Sequence, residues 1–582
     1  MNLAVTKAFG NACGLTALGT VLTVLAQPAF AVDITFSGFV RQEAALKLTD
    51  DENPFNTQGN IFNGKTVALN PLVPGLPTTA TRPARSTDND FNLLATRFEL
   101  NMDATFSQSL KAHVTTRAYL DWDVYDDNGG STPFETDIRG GGRGSLLEVN
   151  GNSYMVDLPA AYLDFADGPL FIRAGNQQIA WGESLFFRVL DLPNGLDLRR
   201  HLILDPAAEE FSDKRVPALG LRASYRVDDV WEAEGFVQQF NPSITNNPST
   251  PYNVIPDQFT VHDRYDWVDA SVNVGGRLRA QFEDLGLQFV AMSRRNPDGV
   301  YRWTQSGVGP LAGTPFEIDP VNGVTSATEW FYYAHQVRLD GTAGLNAAVD
   351  DFQPATGLLG AFNVGNDMGL AGAELDTFFA TFGGLRGHIE RYYPYENVFG
   401  MGANYIFEDE PGSLFDQLIV RAEGSFTPDK KFTSPSLSQE PITEDEWTFA
   451  LVFEKYHRFS TEFPATYIVA QYLYKSESDL FGRHLSGYGG SLANNPTGVD
   501  GYHAVALALQ QPSPSLEWRF DLSVLYDLRG GAMIQPGAKW KPNGDWQVDL
   551  YATIFAAEDD NKNALSTLDF ADEAFLRITR QF

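Results

Sequence analysis

Residues 91–106 read FNLLATRFELNMDATF, and their side chains alternate in character. Leu94, Phe98, Leu100, Met102, Ala104 and Phe106 share one parity, whereas Arg97, Glu99, Asn101 and Asp103 share the other. A β-strand sends successive side chains to opposite faces, so one face of this segment is greasy and the other wet. Residues 110–124 repeat the design. Leu110, Ala112, Val114, Ala118, Leu120, Trp122 and Val124 oppose Lys111, His113, Thr115, Arg117, Tyr119, Asp121 and Asp123. Only Ser107, Gln108 and Ser109 lie between the two runs, which suits a hairpin. Trp518, Phe520, Leu522, Val524 and Tyr526 alternate with Glu517, Arg519, Asp521 and Ser523, and 546–554 behaves the same way.

A soluble sandwich also alternates, but it turns its apolar face inward and uses strands of about 5–6 residues. The runs here extend over about 10–16 residues, the length of a tilted strand that crosses a bilayer. Charge on the opposite face requires a hydrated interior. Unpaired backbone groups cannot sit in lipid, so the sheet has to close. The pattern predicts an all-β fold: a transmembrane antiparallel β-barrel of about 18–20 strands with long extracellular loops.

The connections agree. In such barrels short periplasmic turns alternate with long outer loops. A strand over 33–48 precedes the long segment 49–90, and 91–106 precedes a three-residue turn. A strand over 110–124 precedes a loop reaching about 152; 153–165 meets the Ala166-Asp167-Gly168-Pro169 turn; 170–182 leads into a loop to about 214. Further short turns fall at Val227-Asp228-Asp229, Glu408–Gly412, Phe459–Glu462 and Gln511–Pro514, with Arg529-Gly530-Gly531 as a short exception on the outer side. The stretch 341–393 is ambiguous. Asn346 to Gly372 is rich in Gly and Ala without clean alternation, and Ala373 to Tyr393 suits either a strand or a short amphipathic helix in a loop or the lumen.

The first 31 residues read as a secretory signal peptide rather than as part of the fold. Lys7 gives a positive start, Leu15 to Ala26 is apolar, and Ala29-Phe30-Ala31 is a small-x-small cleavage pattern. The apolar run is too short for a membrane helix, which needs about 20 residues. The single cysteine, Cys13, lies inside this segment, so no disulfide or Cys-rich metal cluster is expected in the mature chain. Residues 32–582 are expected to form one barrel domain in the outer membrane. The formal net charge of −32 argues against a nucleic-acid partner, which needs a cationic footprint. The chain ends Leu576-Arg577-Ile578-Thr579-Arg580-Gln581-Phe582. The terminal Phe and the apolar parity before it look like the strand signal read by the barrel-assembly machinery.

Phe36-Ser37-Gly38-Phe39-Val40-Arg41-Gln42-Glu43, Asp51-Glu52-Asn53-Pro54-Phe55-Asn56, Arg173-Ala174-Gly175-Asn176-Gln177-Gln178 and Trp181-Gly182-Glu183-Ser184-Leu185-Phe186 carry a family resemblance. Together they resemble a proteobacterial outer-membrane family known as domain of unknown function thirteen-zero-two. The resemblance runs over essentially the whole mature chain. It implies a signal peptide, an outer-membrane barrel and no catalytic residues. It also implies genomic company with resistance-nodulation-division-type transporters, hence an inner-membrane partner of that type and a part in moving or handling hydrophobic compounds.

A polar lumen carrying both charge signs reads as a water-filled or loop-plugged channel. Arg97, Glu99, Lys111, Arg117, Arg519 and Asp521 are the candidate lumen-lining residues. In a channel they bias selectivity; alternatively they pair across strands and hold the wall together, Glu99 with Arg117 or Lys111. The aromatic and acidic block with Trp181, Glu183, Phe186 and Phe187 sits at a strand mouth. It fits either a ligand site or an interfacial girdle with a loop anchor. Acidic clusters at 50–52, 121–127, 444–446 and 558–560 are read as solvated loop charge or as contacts to lipopolysaccharide through divalent ions. No metal or cofactor motif is evident. The eight His form no His-Glu-x-x-His arrangement, and Gly182-Glu183-Ser184 is not a nucleophile elbow, so no enzyme is expected. The expected function is an outer-membrane channel-like protein passing small organic molecules between exterior and periplasm, hydrophobic ones by what the family resemblance implies. The alternative is a non-transporting component of an envelope transport machine, or a surface receptor.

Overall fold

The computed structural model describes residues 32–85, 90–122, 132–136, 138–199, 214–410, 412–558 and 561–582. The segment read as a signal peptide lies outside the described residues, as do Asp123, Asp126, Asp127, His201, Asp559 and Asp560.

Eighteen antiparallel strands close into a barrel. The first six are β1 (Asp33–Lys47), β2 (Phe91–Thr105), β3 (Leu110–Asp121), β4 (Tyr154–Asp167), β5 (Leu170–Gln177) and β6 (Ala218–Arg226). Next come β7 (Trp231–Gln239), β8 (Val272–Phe282), β9 (Leu285–Arg295), β10 (Tyr395–Ile406), β11 (Ile419–Phe432) and β12 (Ile442–His457). The circuit ends with β13 (Thr466–Lys475), β14 (Tyr502–Pro512), β15 (Trp518–Asp527), β16 (Gly531–Trp540), β17 (Trp546–Ala557) and β18 (Glu573–Gln581). Each strand pairs with its sequence neighbours, and β18 returns to β1 with Gln581 opposite Phe39. The expected fold class and strand range both hold.

The seam is sealed by the last residue. Phe582 and Gly38 exchange two backbone hydrogen bonds of 3.0 Å, and the Phe582 ring stacks on Phe98 at 6.3 Å. A Cβ at Gly38 would lie 2.2 Å from the Glu99 carbonyl oxygen and 2.9 Å from the Phe582 ring, so the seam admits only glycine there.

Parity sorts the two faces as the alternation requires. Phe36, Val40, Leu163, Leu221, Phe289, Met401 and Phe449 are exposed on the outer surface, while Arg97, Arg117, Glu234, Arg277 and Glu423 are buried within. Exposed aromatics gather at both strand ends. Tyr225, Tyr405, Tyr456, Trp518 and Trp546 lie near the short turns, and Trp122, Trp267, Tyr395, Trp447 and Tyr526 lie near the long loops. Two such belts flanking an apolar band mark the two interfaces of a bilayer. Among the described residues no helix is long and apolar enough to cross a membrane; strands are the crossing element.

Short turns and both ends of the barrel chain share one rim, and the long loops share the other. The connection at 528–530 is the short exception on the long-loop side. Two expectations shift. β5 ends at Gln177 rather than reaching 182, and the connection from β10 to β11 runs over 407–418 rather than closing within a few residues.

The longest outer loop, 296–394, folds as a small α/β body, which resolves the ambiguous stretch. Its helices are α1 (Ala327–Gln336), α2 (Gly341–Asp350), α3 (Gln353–Leu359) and α4 (Met368–Phe382). Ser326 caps α1: its hydroxyl accepts from the Glu329 N–H at 3.2 Å. The Asp367 carboxylate caps α4, and Ala371, Leu375, Phe378 and Phe379 form its buried stripe. Leu385–Tyr392 is a strand, but it pairs outside the barrel wall, with Phe259–Asp263, Val300–Trp303 and Phe316–Ile318. The helices and this sheet enclose a core around Trp303, Leu345, Leu375 and Phe378.

Loop 48–90 is tied to this body. Arg82 reaches Glu329 at 2.8 Å, with both side chains buried, and Asn60 donates to the same carboxylate at 2.7 Å. The Asn53–Asn56 motif clips the loop to 240–271: Asn53 Nδ2 donates to the carbonyls of Pro251 and Asn253 at 3.0 and 2.8 Å. The long loops therefore dock on one another rather than extending into solvent.

Candidate functional site

The site begins where β5 stops. Gly175 has φ +140°, and a Cβ there would lie 2.3 Å from the Ala161 carbonyl oxygen. Asn176 Nδ2 donates to the Leu158 carbonyl at 2.7 Å and Gln177 Nε2 to the Gly220 carbonyl at 3.0 Å. Side chains thus replace the strand ladder, and the chain leaves the wall. Ile179 N–H then donates to Asn194 Oδ1 at 2.9 Å, closing the base of loop 178–217.

The loop crosses the lumen. Trp181 Nε1 donates to Glu234 Oε1 on β7 at 2.6 Å, and the indole packs edge-on against Phe236. Asn404 Nδ2 on β10 donates to Glu183 Oε2 at 2.8 Å. Glu423 on β11 accepts from the Glu183 N–H and from Ser184 Oγ, the latter at 2.7 Å. Gln471 Oε1 on β13 accepts from the Leu185 and Phe186 N–H groups at 3.2 and 2.8 Å. Leu190, fully buried, fits the wall at Gly400, where a Cβ would lie 2.3 Å from its Cδ2. Segment 181–190, which enters from β5, is thus pinned to wall strands β7, β10, β11 and β13. Trp181 is inside the barrel, 1% exposed, and not at a membrane interface.

This crossing divides two spaces. On the outer side lies a chamber of about 510 Å³. Phe186, Phe187 and Val189 floor it; Leu473, Leu525 and Met533 form the barrel wall; Ile255, Phe259, Leu339 and Leu437 come from the docked outer loops. Its volume falls in the range of small-molecule sites, and most of its surface is apolar, with charged side chains set among the apolar ones. On the other side is a polar recess of about 240 Å³ bounded by Glu183, Glu232, Arg279 and Asn404, near the 227–230 turn. The Trp181–Phe187 block therefore presents an acid to the recess and phenyl rings to the chamber.

Charged groups in the chamber wall are engaged with one another. Arg294 pairs with Glu396 at 2.6 Å, and Lys430 and Lys475 flank Glu446. Burial opposes ionisation of Asp298 in the outer loop. The Ser243 hydroxyl and the Arg188, Arg391 and Arg294 guanidiniums outweigh it and hold the carboxyl below its ordinary value.

None of the six wall residues chosen from the sequence lines this chamber. Arg97 reaches Glu99 at 2.9 Å and lies over the Phe39 and Tyr119 rings. Arg117 stands opposite Glu99 in register and makes a two-point contact with Asp157, Nε to Oδ1 at 2.9 Å. Arg519 and Asp521 pair at 2.8 Å near the short-turn rim, and Lys111 is exposed at that rim. The sequence reading missed Glu234, Glu423 and Gln471, the anchors of the crossing loop. Their inward parity is legible, but their partners lie 53 to 286 residues away.

Among the described residues, two clusters of metal-ligating residue types lie outside the crossing loop. Glu444, Glu477 and His484 bring their ligand atoms within 4.8 Å of one another. His484 Nδ1 accepts from the Ser486 N–H at 3.2 Å, and Nε2 lies 2.9 Å from the Glu444 carboxylate. His262, His388 and Glu317 form a chain of 2.9 Å hydrogen bonds within the loop body.

The fold is similar to solved outer-membrane barrels at low identity. OccAB2 of Acinetobacter baumannii shares 8% identity at a TM-score of 0.41, over 94% of this chain and 98% of that one. OccK2 of Pseudomonas aeruginosa, solved with glucuronate, shares 9% at 0.41, over 94% and 98%. Wzi of Escherichia coli, described as a carbohydrate-binding β-barrel involved in group 1 capsule assembly, shares 10% at 0.38, over 98% and 87%. No curated protein matches the chain in sequence. The model of one family, proteins of unknown function DUF1302, matches residues 12–582, and the chain belongs to that family.

Proposed function

We propose that this protein is an outer-membrane channel-like barrel that admits small, largely apolar organic molecules from the exterior and passes them toward the periplasm. One observation carries the reading: an apolar chamber of about 510 Å³ lies within the barrel, roofed by docked loops and floored by the loop that crosses the lumen. A barrel built only to support a partner has no use for an apolar hollow facing its own lumen. Such surface costs free energy while it is hydrated and gives it back when an apolar guest displaces the water. Passage then requires the 181–190 crossing to move, and its hold consists of hydrogen bonds and one apolar socket rather than a strand ladder. No step of this reading uses catalysis.

Reconstitution into a planar bilayer tests it. The barrel is expected to show small, infrequent openings that an aromatic solute on the outer side interrupts in a concentration-dependent way. A silent barrel that nonetheless binds the solute points instead to a receptor. A silent barrel with no binding ends the proposal.

A further inference from the structure

We infer that the chamber selects anionic amphiphiles: small molecules with an apolar body and one carboxylate-type head, the head seated between Lys430 and Lys475. This rests on the chamber being the binding site of the preceding reading.

The chain has a formal net charge of −32, yet among the described residues nine Lys and Arg side chains and three Asp and Glu line the chamber. Composition therefore runs against the charge of this surface. The surplus centres on Glu446 of β12. Lys430 of β11 pairs with one of its oxygens, and Lys475 Nζ of β13 lies 3.7 Å from the other. Lys475 also donates to the Asp479 carbonyl at 3.1 Å. Two ammonium groups share one carboxylate, whose further partner is the neutral Ser478 hydroxyl. The side chains of Lys430, Lys475 and Glu446 are 17%, 16% and 4% exposed.

Among the described acids that line the chamber none offers a counterweight; Glu444 and Glu477, close to Glu446, lie outside the lining beside His484. Glu396 answers Arg294, the Asp479 carboxylate answers Arg483 at 2.7 Å, and Asp298 faces Arg188 and Arg391. Within the described lining of the chamber the Lys430–Glu446–Lys475 cluster thus carries one positive charge in excess. A buried charge without a partner is costly, and charge-assisted hydrogen bonds from two ammonium groups are among the stronger contacts a head can gain. Phe187, Leu473, Leu525 and Met533 supply the surface that takes the apolar body. A neutral molecule of the same shape gains the second contribution without the first, and a cationic one is repelled.

The test uses the full barrel in lipid nanodiscs, empty discs being the blank, and titration calorimetry with β-naphthoate and its neutral isostere β-naphthamide. The carboxylate is expected to bind roughly tenfold more tightly than the amide. Joint Lys430→Gln and Lys475→Gln substitution is expected to bring the two affinities together. Glu446→Gln keeps both lysines and removes their carboxylate, so it is expected to widen the preference; it decides the matter if the double variant fails to assemble. Equal affinities in the unmodified barrel, or a preference that survives the double substitution or narrows in Glu446→Gln, overturn the inference while the chamber stands. Binding of neither compound overturns both.

Discussion

Arg117 and Asp157 show how single residues hold this wall. Both are 3% exposed, and the guanidinium grips the carboxylate at two points across β3 and β4. Removing one partner leaves the other buried and charged. Arg117→Met is therefore expected to cost about 3–5 kcal/mol, whereas the joint replacement Arg117→Met with Asp157→Leu recovers most of the loss. The temperature at which the folded band disappears on a seminative gel measures it. Glu374 on α4 gives a pH dependence of the opposite sign to an ordinary paired carboxylate. It is 2% exposed, accepts one hydrogen bond from the Phe362 N–H at 2.8 Å, and its Oε2 has no partner among the described residues. Burial pushes its carboxyl up to about 7. A raised folded-state value means that its stabilising contribution is complete below the unfolded value and is lost as pH rises through about 7. The loop body is expected to lose on the order of 3 kcal/mol of local stability across that window, and Glu374→Gln to remove the slope. Hydrogen exchange of the α4 amides, followed from about pH 5 to about pH 8, reads it directly.

At the scale of elements, the strands were legible and the crossing loop was not. Leu94, Phe98 and Leu100 against Arg97 and Glu99 announce a two-faced strand because parity is a local property of the chain. Loop 178–217 has no such signature. Its course is set by Glu234, Glu423 and Gln471, each of which reads as one more polar residue on an inward parity. The Gly175–Gln177 block did carry a signal, since a glycine and two amides break the alternation where the chain leaves the wall, but the break does not reveal the direction taken. The stretch 341–393 stayed ambiguous because Ala and Gly fit helix and loop alike, and its buried stripe emerges only against Trp303 and Leu345. The crossing loop yields a prediction of its own. Glu423→Ala with Gln471→Ala removes the acceptors for the Glu183, Leu185 and Phe186 N–H groups and for Ser184 Oγ. Mean single-channel conductance is expected to rise severalfold while the folded gel mobility is kept. Gly400→Val, which invades the Leu190 socket, is expected to act in the same direction. Conductance unchanged in both would mean that the segment does not limit the passage.

The whole molecule behaves as two structures with different reasons to be stable. The barrel is closed by strand pairing and by its lipid-facing band, so it does not depend on its loops for backbone satisfaction. The loop body has its own apolar core, completed by Phe259–Asp263 and Leu437 of two neighbouring loops, and its chain leaves and re-enters the wall at one point, where Arg295 of β9 and Tyr395 of β10 stand opposite each other. Replacing 296–394 by a tight two-residue hairpin turn therefore preserves the register of both strands. The shortened chain is expected to assemble with a heat-modifiable gel shift like that of the full protein. The chamber is expected to fail, because Leu339 and Leu437 no longer face each other across it: Leu339 is removed, and Leu437 loses the core it packs on. Loop 48–90 should loosen as well, since Arg82 and Asn60 lose the Glu329 carboxylate. Limited proteolysis is expected to cut within 48–90 in the shortened chain and to spare it in the full one. Affinity for β-naphthamide should fall together with that protection. A shortened barrel that retained full affinity would place the binding surface below the loops, on the wall and the 181–190 crossing alone.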